Sequence, residues 1–334
     1  MENNEKDIEK IENNNTNEKN INVETFISSL NSLSSEINGN TKTVKKKKYD
    51  RNFWIWFSAL AICVSVFVVS VIMIGINMYE GHSSEKINNE LNDSFFDNSA
   101  KKGLMPRLSP MVLDDNLPKY GSPRNHASNL DYRTLYTNNP LIAEFKEKLL
   151  EYKKINPDIY GWIQVDGTDI SYAIVRGTDN DYYLNHTVTN EHNVNGSIFA
   201  DFRVEDNVLD NPNIVFYGHN SYYLKQMFHQ LTRFLDQSFF EENKYITIYT
   251  VDGIYRYEIF AIYETYSSYN YCQMNFVSEK SFVNWCNEMK SNSIHNREMT
   301  PFKAGSRIIT LSTCANAYYT RRYSIQGRLV TIER

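Results

Sequence analysis

The chain has 334 residues, 41% of them hydrophobic, enough for one substantial core with appended segments. A formal net charge of -5 gives no support for a nucleic-acid partner, because binding a phosphate backbone needs a basic face. Four cysteines, Cys63, Cys272, Cys286 and Cys314, include no CxxC pair and no Cys/His cluster at zinc-ligand spacing, so no metal and no cofactor is expected. So few cysteines also argue against a disulfide framework, while one Cys272–Cys286 bridge stays open.

Residues 1–52 are rich in Asn, Glu and Lys and nearly free of aromatics, a composition that predicts a disordered segment. Residues 53–78 carry no charge over about 26 positions, enough to cross a hydrocarbon core of roughly 30 Å at about 1.5 Å per residue. The run exceeds the apolar core of a signal peptide, which predicts an uncleaved, single-pass transmembrane helix. Lys42, Lys45, Lys46, Lys47, Lys48 and Arg51 crowd its N-terminal side, and Glu80 and Glu85 follow it. That asymmetry predicts a cytoplasmic N-terminus, a cell-membrane location and an extracellular remainder. Residues 79–140 are polar, with scattered Pro, Gly, Asn and Ser, and read as an extracellular stalk or linker.

Ordered patterning fills residues 141–334. Leu141, Ile142, Phe145 and Leu149 mark one face of a helix ending before Asn156-Pro157. Strand-like runs follow at Gly161–Val165, Ile170–Val175, Ser197–Ala200, Ile214–Tyr217, Tyr245–Thr250, Tyr255–Tyr266, Arg307–Thr313 and Arg322–Ile332. Asp252-Gly253 reads as a hairpin turn. Helical spacing recurs at Leu224, Met227, Phe228, Leu231 and Leu235, and at Phe282, Trp285, Cys286 and Met289, placing Cys286 on a buried face. About eight strands with few helices predict a mostly β fold, a closed or nearly closed barrel with helical insertions.

Cysteine catalysis needs a thiolate, a nearby imidazole and a donor for the oxyanion. Along Arg307–Cys314, Ile309 and Leu311 share one parity, and Thr310, Ser312 and Cys314 the other, so Cys314 ends a strand on its more polar face. His219 closes the apolar strand Asn213–Tyr217 in the same manner, after Gly218, which permits close approach. In the last strand Arg322 shares parity with Ser324, Gln326 and Arg328, whereas Arg321 belongs with the apolar set, which favours Arg322 as the cation beside Cys314. Taken alone, each residue is more simply a packed or solvated side chain.

Their combination is more specific. Thr310-Leu-Ser-Thr-Cys314 followed by Arg322, with Tyr217-Gly-His-Asn220 upstream, resembles the signature of sortases, and class B is the nearest pattern. Tyr160-Gly-Trp-Ile, Tyr182-Tyr-Leu-Asn185 and Gly196-Ser-Ile-Phe-Ala-Asp-Phe-Arg203 extend the similarity over roughly residues 140–334. The interval from Cys314 to Arg322 is short for the class, and Asn316 stands where some members carry an acid. The resemblance implies an eight-stranded sortase barrel with Cys314 as nucleophile and His219 and Arg322 as its partners. It further implies Tyr217, Ser312 and Asn185 as substrate-groove residues. Its implied reaction is cleavage after Thr of a C-terminal sorting motif, of Asn-Pro-Gln-Thr-Asn or Pro-Lys-Thr-Gly type, through a Cys thioester. The partners are sorting-motif surface proteins and a peptidoglycan amine, and the loops 185–195 and 266–276 set the motif. An extracellular cysteine endopeptidase without transfer and a non-catalytic anchored binding module are the competing readings.

Overall fold

The computed structural model describes residues 23–39, 49–96, 132–135, 140–221, 224–315 and 320–334, and the chain divides into two compact units, Met1–Val69 and Ser70–Arg334. In the first unit helix α1 runs over Val23–Gly39, against the disorder expected of residues 1–52. Ile27, Leu30 and Leu33 recur at three-residue intervals and are exposed, a helical stripe that bulk composition averages away.

Helix α2 covers Arg51–Phe95, and its residues from Ser70 onward belong to the second unit. By length and composition it is long and apolar enough to cross a membrane. Its apolar side chains are exposed, Trp56 by 75% and Phe67 by 69%. Past Tyr79 composition turns polar but the helix continues, with Lys86 and Glu90 paired at i,i+4. Residues 79–96 are therefore not the linker their composition predicts. Gly81, Ser84, Phe95 and Phe96 are buried, and the Phe95 ring stacks on Trp162 at 4.4 Å. The linker expected across 97–131 lies outside the described residues.

The short strand β1 (Arg133–Leu135) precedes helix α3 (Pro140–Ile155), which buries Phe145, Leu149 and Tyr152 at helical spacing. Strands β2 (Ile159–Val165), β3 (Ser171–Val175), β4 (Ile198–Ala200) and β5 (Asn213–Tyr217) follow. A small hairpin pairs β6 (Asn220–Ser221) with β7 (Gln226–Met227). Phe228–Leu235 is then a 3-10 helix, not the α-helix that the spacing from Leu224 predicts. Lys225 and Met227 have φ of 55° and 53°, which no helix tolerates, and the buried Phe228, Leu231 and Phe234 repeat at the 3-10 period.

After α4 (Gln237–Glu242) come β8 (Tyr245–Thr250) and β9 (Gly253–Tyr266), α5 (Glu279–Ser291), β10 (Ile308–Cys314) and β11 (Arg321–Glu333). The β8–β9 turn is set by Gly253 at φ 147°, which β8 Thr250 pairs directly. Strand order β11-β10-β5-β4-β3-β2-β8-β9 closes through a β9–β11 pairing into an eight-stranded barrel, with β1 added beside β11. Ile163, Ile214, Phe216, Ile248, Ile309, Leu311 and Ile325 fill one continuous core. A second cluster lies under α3 and the end of α2, and a third under α5, where Phe282, Trp285, Cys286 and Met289 are all buried. Cys272 and Cys286 are free thiols, so the bridge left open between them is not formed.

Candidate active site

Pairing places three candidate residues at one rim. Strands β5 and β10 run parallel with Tyr217 opposite Ser312, so the two chains leave the barrel at the same end, carrying His219 and Cys314. Strand β11 returns antiparallel from that rim and sets Arg322 directly opposite Cys314. Gly218 lets the chain turn there, since a Cβ would lie 2.4 Å from Ile198 Cδ1 and 2.8 Å from the Phe228 ring. Parity sorts the two arginines as well. Arg321 faces away, bonded to Tyr266 Oη at 3.0 Å and paired with Glu264 at 3.3 Å.

All three candidates are partly exposed and line one groove of about 920 Å³. Tyr217 and Ser312 lie along it too. Asn185 does not: the groove wall ends at Leu184, where the chain turns so that the Asn185 carbonyl accepts from Asn193 N at 2.9 Å. Of the two loops expected to set the motif, residues 267–275 form a wall, whereas residues 185–195 are absent from the lining. Asn316 lies outside the described residues.

The imidazole is oriented by the main chain. His219 Nε2 lies 2.7 Å from the Leu184 carbonyl oxygen, which only accepts, so Nε2 carries a proton and Nδ1 is left for exchange. Asn220 ties the two strand ends together: its Nδ2 donates to the Cys314 carbonyl at 2.8 Å, and its Oδ1 accepts from His229 Nδ1 at 2.6 Å. Nothing in the motif Tyr217-Gly-His-Asn220 signals that task, because it depends on where two separate strands end.

Beneath the groove lies a polar cluster that strand parity did not reveal. The fully buried Asp201 carboxylate accepts two bonds of 2.7 Å from the Arg203 guanidinium and one of 3.0 Å from Tyr217 Oη. Burial alone would raise its pKa, but the Arg203 and Tyr217 donors outweigh that and hold the carboxyl below its ordinary range. Tyr217 moves the other way, raised by burial and then by the neighbouring Cys272 and Asp201. Burial pushes the Cys272 thiol up to about 12. Tyr271 Oη and Ser312 Oγ share a buried hydrogen bond of 2.8 Å, fastening the loop wall to β10.

A profile of the sortase domain matches residues 163–330. The chain is 36% identical to sortase B of Staphylococcus aureus over 182 residues, 54% of this chain and 73% of that one. It is 34% identical to sortase B of Listeria monocytogenes over 209 residues, covering 60% and 83%. This chain belongs to the class B sortases. Among solved structures, a Clostridium perfringens sortase B with one cysteine changed to serine superposes with a TM-score of 0.54 at 31% identity, covering 58% of this sortase and 91% of the other. A Staphylococcus aureus sortase B–substrate complex gives 0.52 at 34% identity, covering 55% and 85%. Sortases are cysteine transpeptidases.

Proposed function

We propose that this class B sortase is a single-pass membrane enzyme that cleaves a C-terminal sorting motif after Thr and joins the released carbonyl to a peptidoglycan amine. The observation that carries the reading is the register that sets Arg322 opposite Cys314 at the rim to which β5 delivers His219. The Cys314 thiolate attacks the Thr carbonyl carbon, and Arg322 with a backbone N–H holds the oxyanion. Collapse breaks the C–N bond after Thr, His219 gives its proton to the leaving amine, and a thioester remains. The acceptor amine then attacks the thioester, His219 takes its proton, and the Cys314 thiolate leaves. Helix α2 is the anchor, with the lysine-rich N-terminal segment cytoplasmic and the barrel extracellular.

The full chain in lipid nanodiscs is incubated with peptides containing Asn-Pro-Gln-Thr-Asn or Pro-Lys-Thr-Gly plus an amine, and products are weighed by mass spectrometry. A solved sortase B is complexed with a triglycine peptide, which makes triglycine the first acceptor to offer. Transfer product that vanishes in Cys314→Ala supports the reading. Hydrolysis alone, at every acceptor including peptidoglycan stem peptides, replaces it with a protease, and an inert chain whose Cys314 resists alkylation replaces it with a binding module.

A further inference from the structure

The polar end of α2 reaches the segments that hold His219. Two adjacent residues there, Glu80 and Gly81, accept three hydrogen bonds. The Glu80 carbonyl accepts from Asn193 Nδ2 at 2.7 Å and the Glu80 carboxylate accepts from Val194 N at 2.9 Å. One residue on, the Gly81 carbonyl accepts from Gln226 Nε2 at 3.3 Å. A Cβ at Gly81 would lie 2.1 Å from Leu224 Cδ1, so a larger residue there displaces the Leu224 side chain.

Both residues lead to the imidazole. Asn193 N donates to the Asn185 carbonyl, the residue beside Leu184, whose own carbonyl receives His219 Nε2–H. Gln226 belongs to the hairpin in which Ser221 pairs it and Asn220 pairs Met227, and His219 O accepts from Phe228 N at 2.9 Å as the chain leaves it. Ser221 Oγ donates to Asn195 Oδ1 at 2.8 Å, joining the two routes. The far end of the helix is fixed independently: Phe95 stacks on Trp162, and the Leu91 and Phe95 carbonyls accept from Tyr152 Oη and Lys148 Nζ, each at 3.0 Å.

We infer that the Glu80–Gly81 turn, through Asn193 and Gln226, is a positioning device that sets the orientation of His219. This rests on the reading of His219 as the proton carrier. A side chain at a strand end has little of its own to hold its angle, and the Leu184 carbonyl does so only while its loop is held. Asn193 and Gln226 are buried, and burial of the Gln226–Gly81 bond keeps water from replacing it. Gln226 Oε1 has no partner among the described residues, so the amide donates to Gly81 as its one bond to the helix.

The test uses the full chain in nanodiscs with Asn193→Asp and Gln226→Met combined. Asp keeps the acceptor that receives Asn195 N at 3.0 Å and removes the donor to Glu80, and Met keeps the volume of Gln226. Expected are a kcat lower by about tenfold with KM for the sorting peptide held within about twofold, and loss of the Nε2–H tautomer signature of His219 in the 15N-histidine spectrum. Gly81→Val, which displaces Leu224 without touching a hydrogen-bonding side chain, gives the same spectral change. Glu85→Ala, on the exposed side of the helix, changes neither. Unaltered His219 signals and kcat in either folded variant overturn the inference. If the parent chain fails to transfer, the proposed function falls, while the imidazole spectrum still decides the role of the turn.

Discussion

The two walls of the groove are built differently. One is a set of strand ends, β5, β10 and β11, whose register fixes Tyr217, Ser312, Cys314 and Arg322 relative to one another, with His219 two residues past the end of β5. The other is the irregular segment 267–275, held by side-chain bonds such as Tyr271 to Ser312 and Trp285 Nε1 to the Asn270 carbonyl, together with Asn180 and Leu184. A ladder cannot slip by one residue without turning every side chain over, so the strand wall suits groups whose spacing must not vary. The loop wall is free to differ in sequence without disturbing the barrel. The proposed reacting groups thereby fall on the strand wall, with one contribution from the other wall, the Leu184 carbonyl that receives His219 Nε2–H.

The division predicts unequal consequences. On the strand wall, His219→Ala lowers kcat/KM by about 10³-fold, and Arg322→Ala by about 10²-fold, both measured by product release from the sorting peptide. Arg321→Ala is the internal control: its guanidinium lies over Tyr266 at 4.5 Å, away from the groove, and its loss leaves kcat/KM within about twofold. An Arg321→Ala chain as damaged as Arg322→Ala would show that register does not select the working arginine.

What the sequence made legible follows the same division. All eight barrel strands were readable as short β-rich runs, and parity favoured Arg322 over Arg321, the residue that the register sets opposite Cys314 being Arg322. Residues 79–96 were misread because a helix lying on a barrel needs few buried side chains: Gly81, Ser84 and Phe95 sit among Glu, Lys and Asn, and average composition hides them. Asn185 stands one residue past Leu184, where the groove lining ends, and nothing in Tyr182-Tyr-Leu-Asn185 says where the chain leaves the wall. Asp201 went unassigned because its meaning lies in the meeting of Arg203 and Tyr217 around it, and the 16 residues separating it from Tyr217 carry no period.

Below the wall, Asp201→Asn keeps an acceptor but removes the charge that holds Arg203. Because the Arg203 side chain is about half exposed, 47%, the loss of unfolding free energy is about 2 kcal/mol, read by urea titration. The sign with pH is fixed by the lowered pKa of Asp201: its contribution is present above the ordinary carboxylate range and is lost as pH falls through the folded value. The parent therefore loses stability toward acid more steeply than Asp201→Asn. Parallel acid limbs in the two chains would remove Asp201 as the anchor of the cluster. On the loop wall, Tyr271→Phe deletes the bond to Ser312 and costs about 1 kcal/mol. Its mark on catalysis is a KM raised by a few-fold with kcat nearly unchanged. A kcat loss comparable to that of Arg322→Ala would mean the loop wall also sets the reacting geometry.

The smallest effect concerns Cys272, a second thiol in the groove that the proposed chemistry does not use. With its pKa pushed up to about 12, its thiolate fraction at pH 8 is on the order of 10⁻⁴, so it is protonated whenever the enzyme works. In a Cys314→Ala chain, alkylation at Cys272 is slow at pH 8 and accelerates about tenfold per pH unit above it. Stability has the corresponding sign. Below the unfolded value of 9.0 both states hold the proton; above it the unfolded chain releases its proton first, so the parent loses stability between about pH 9 and 12. Cys272→Ala removes that slope while leaving turnover at pH 7 in place. Fast labelling of Cys272 at pH 8 would place a second reactive thiolate on the loop wall.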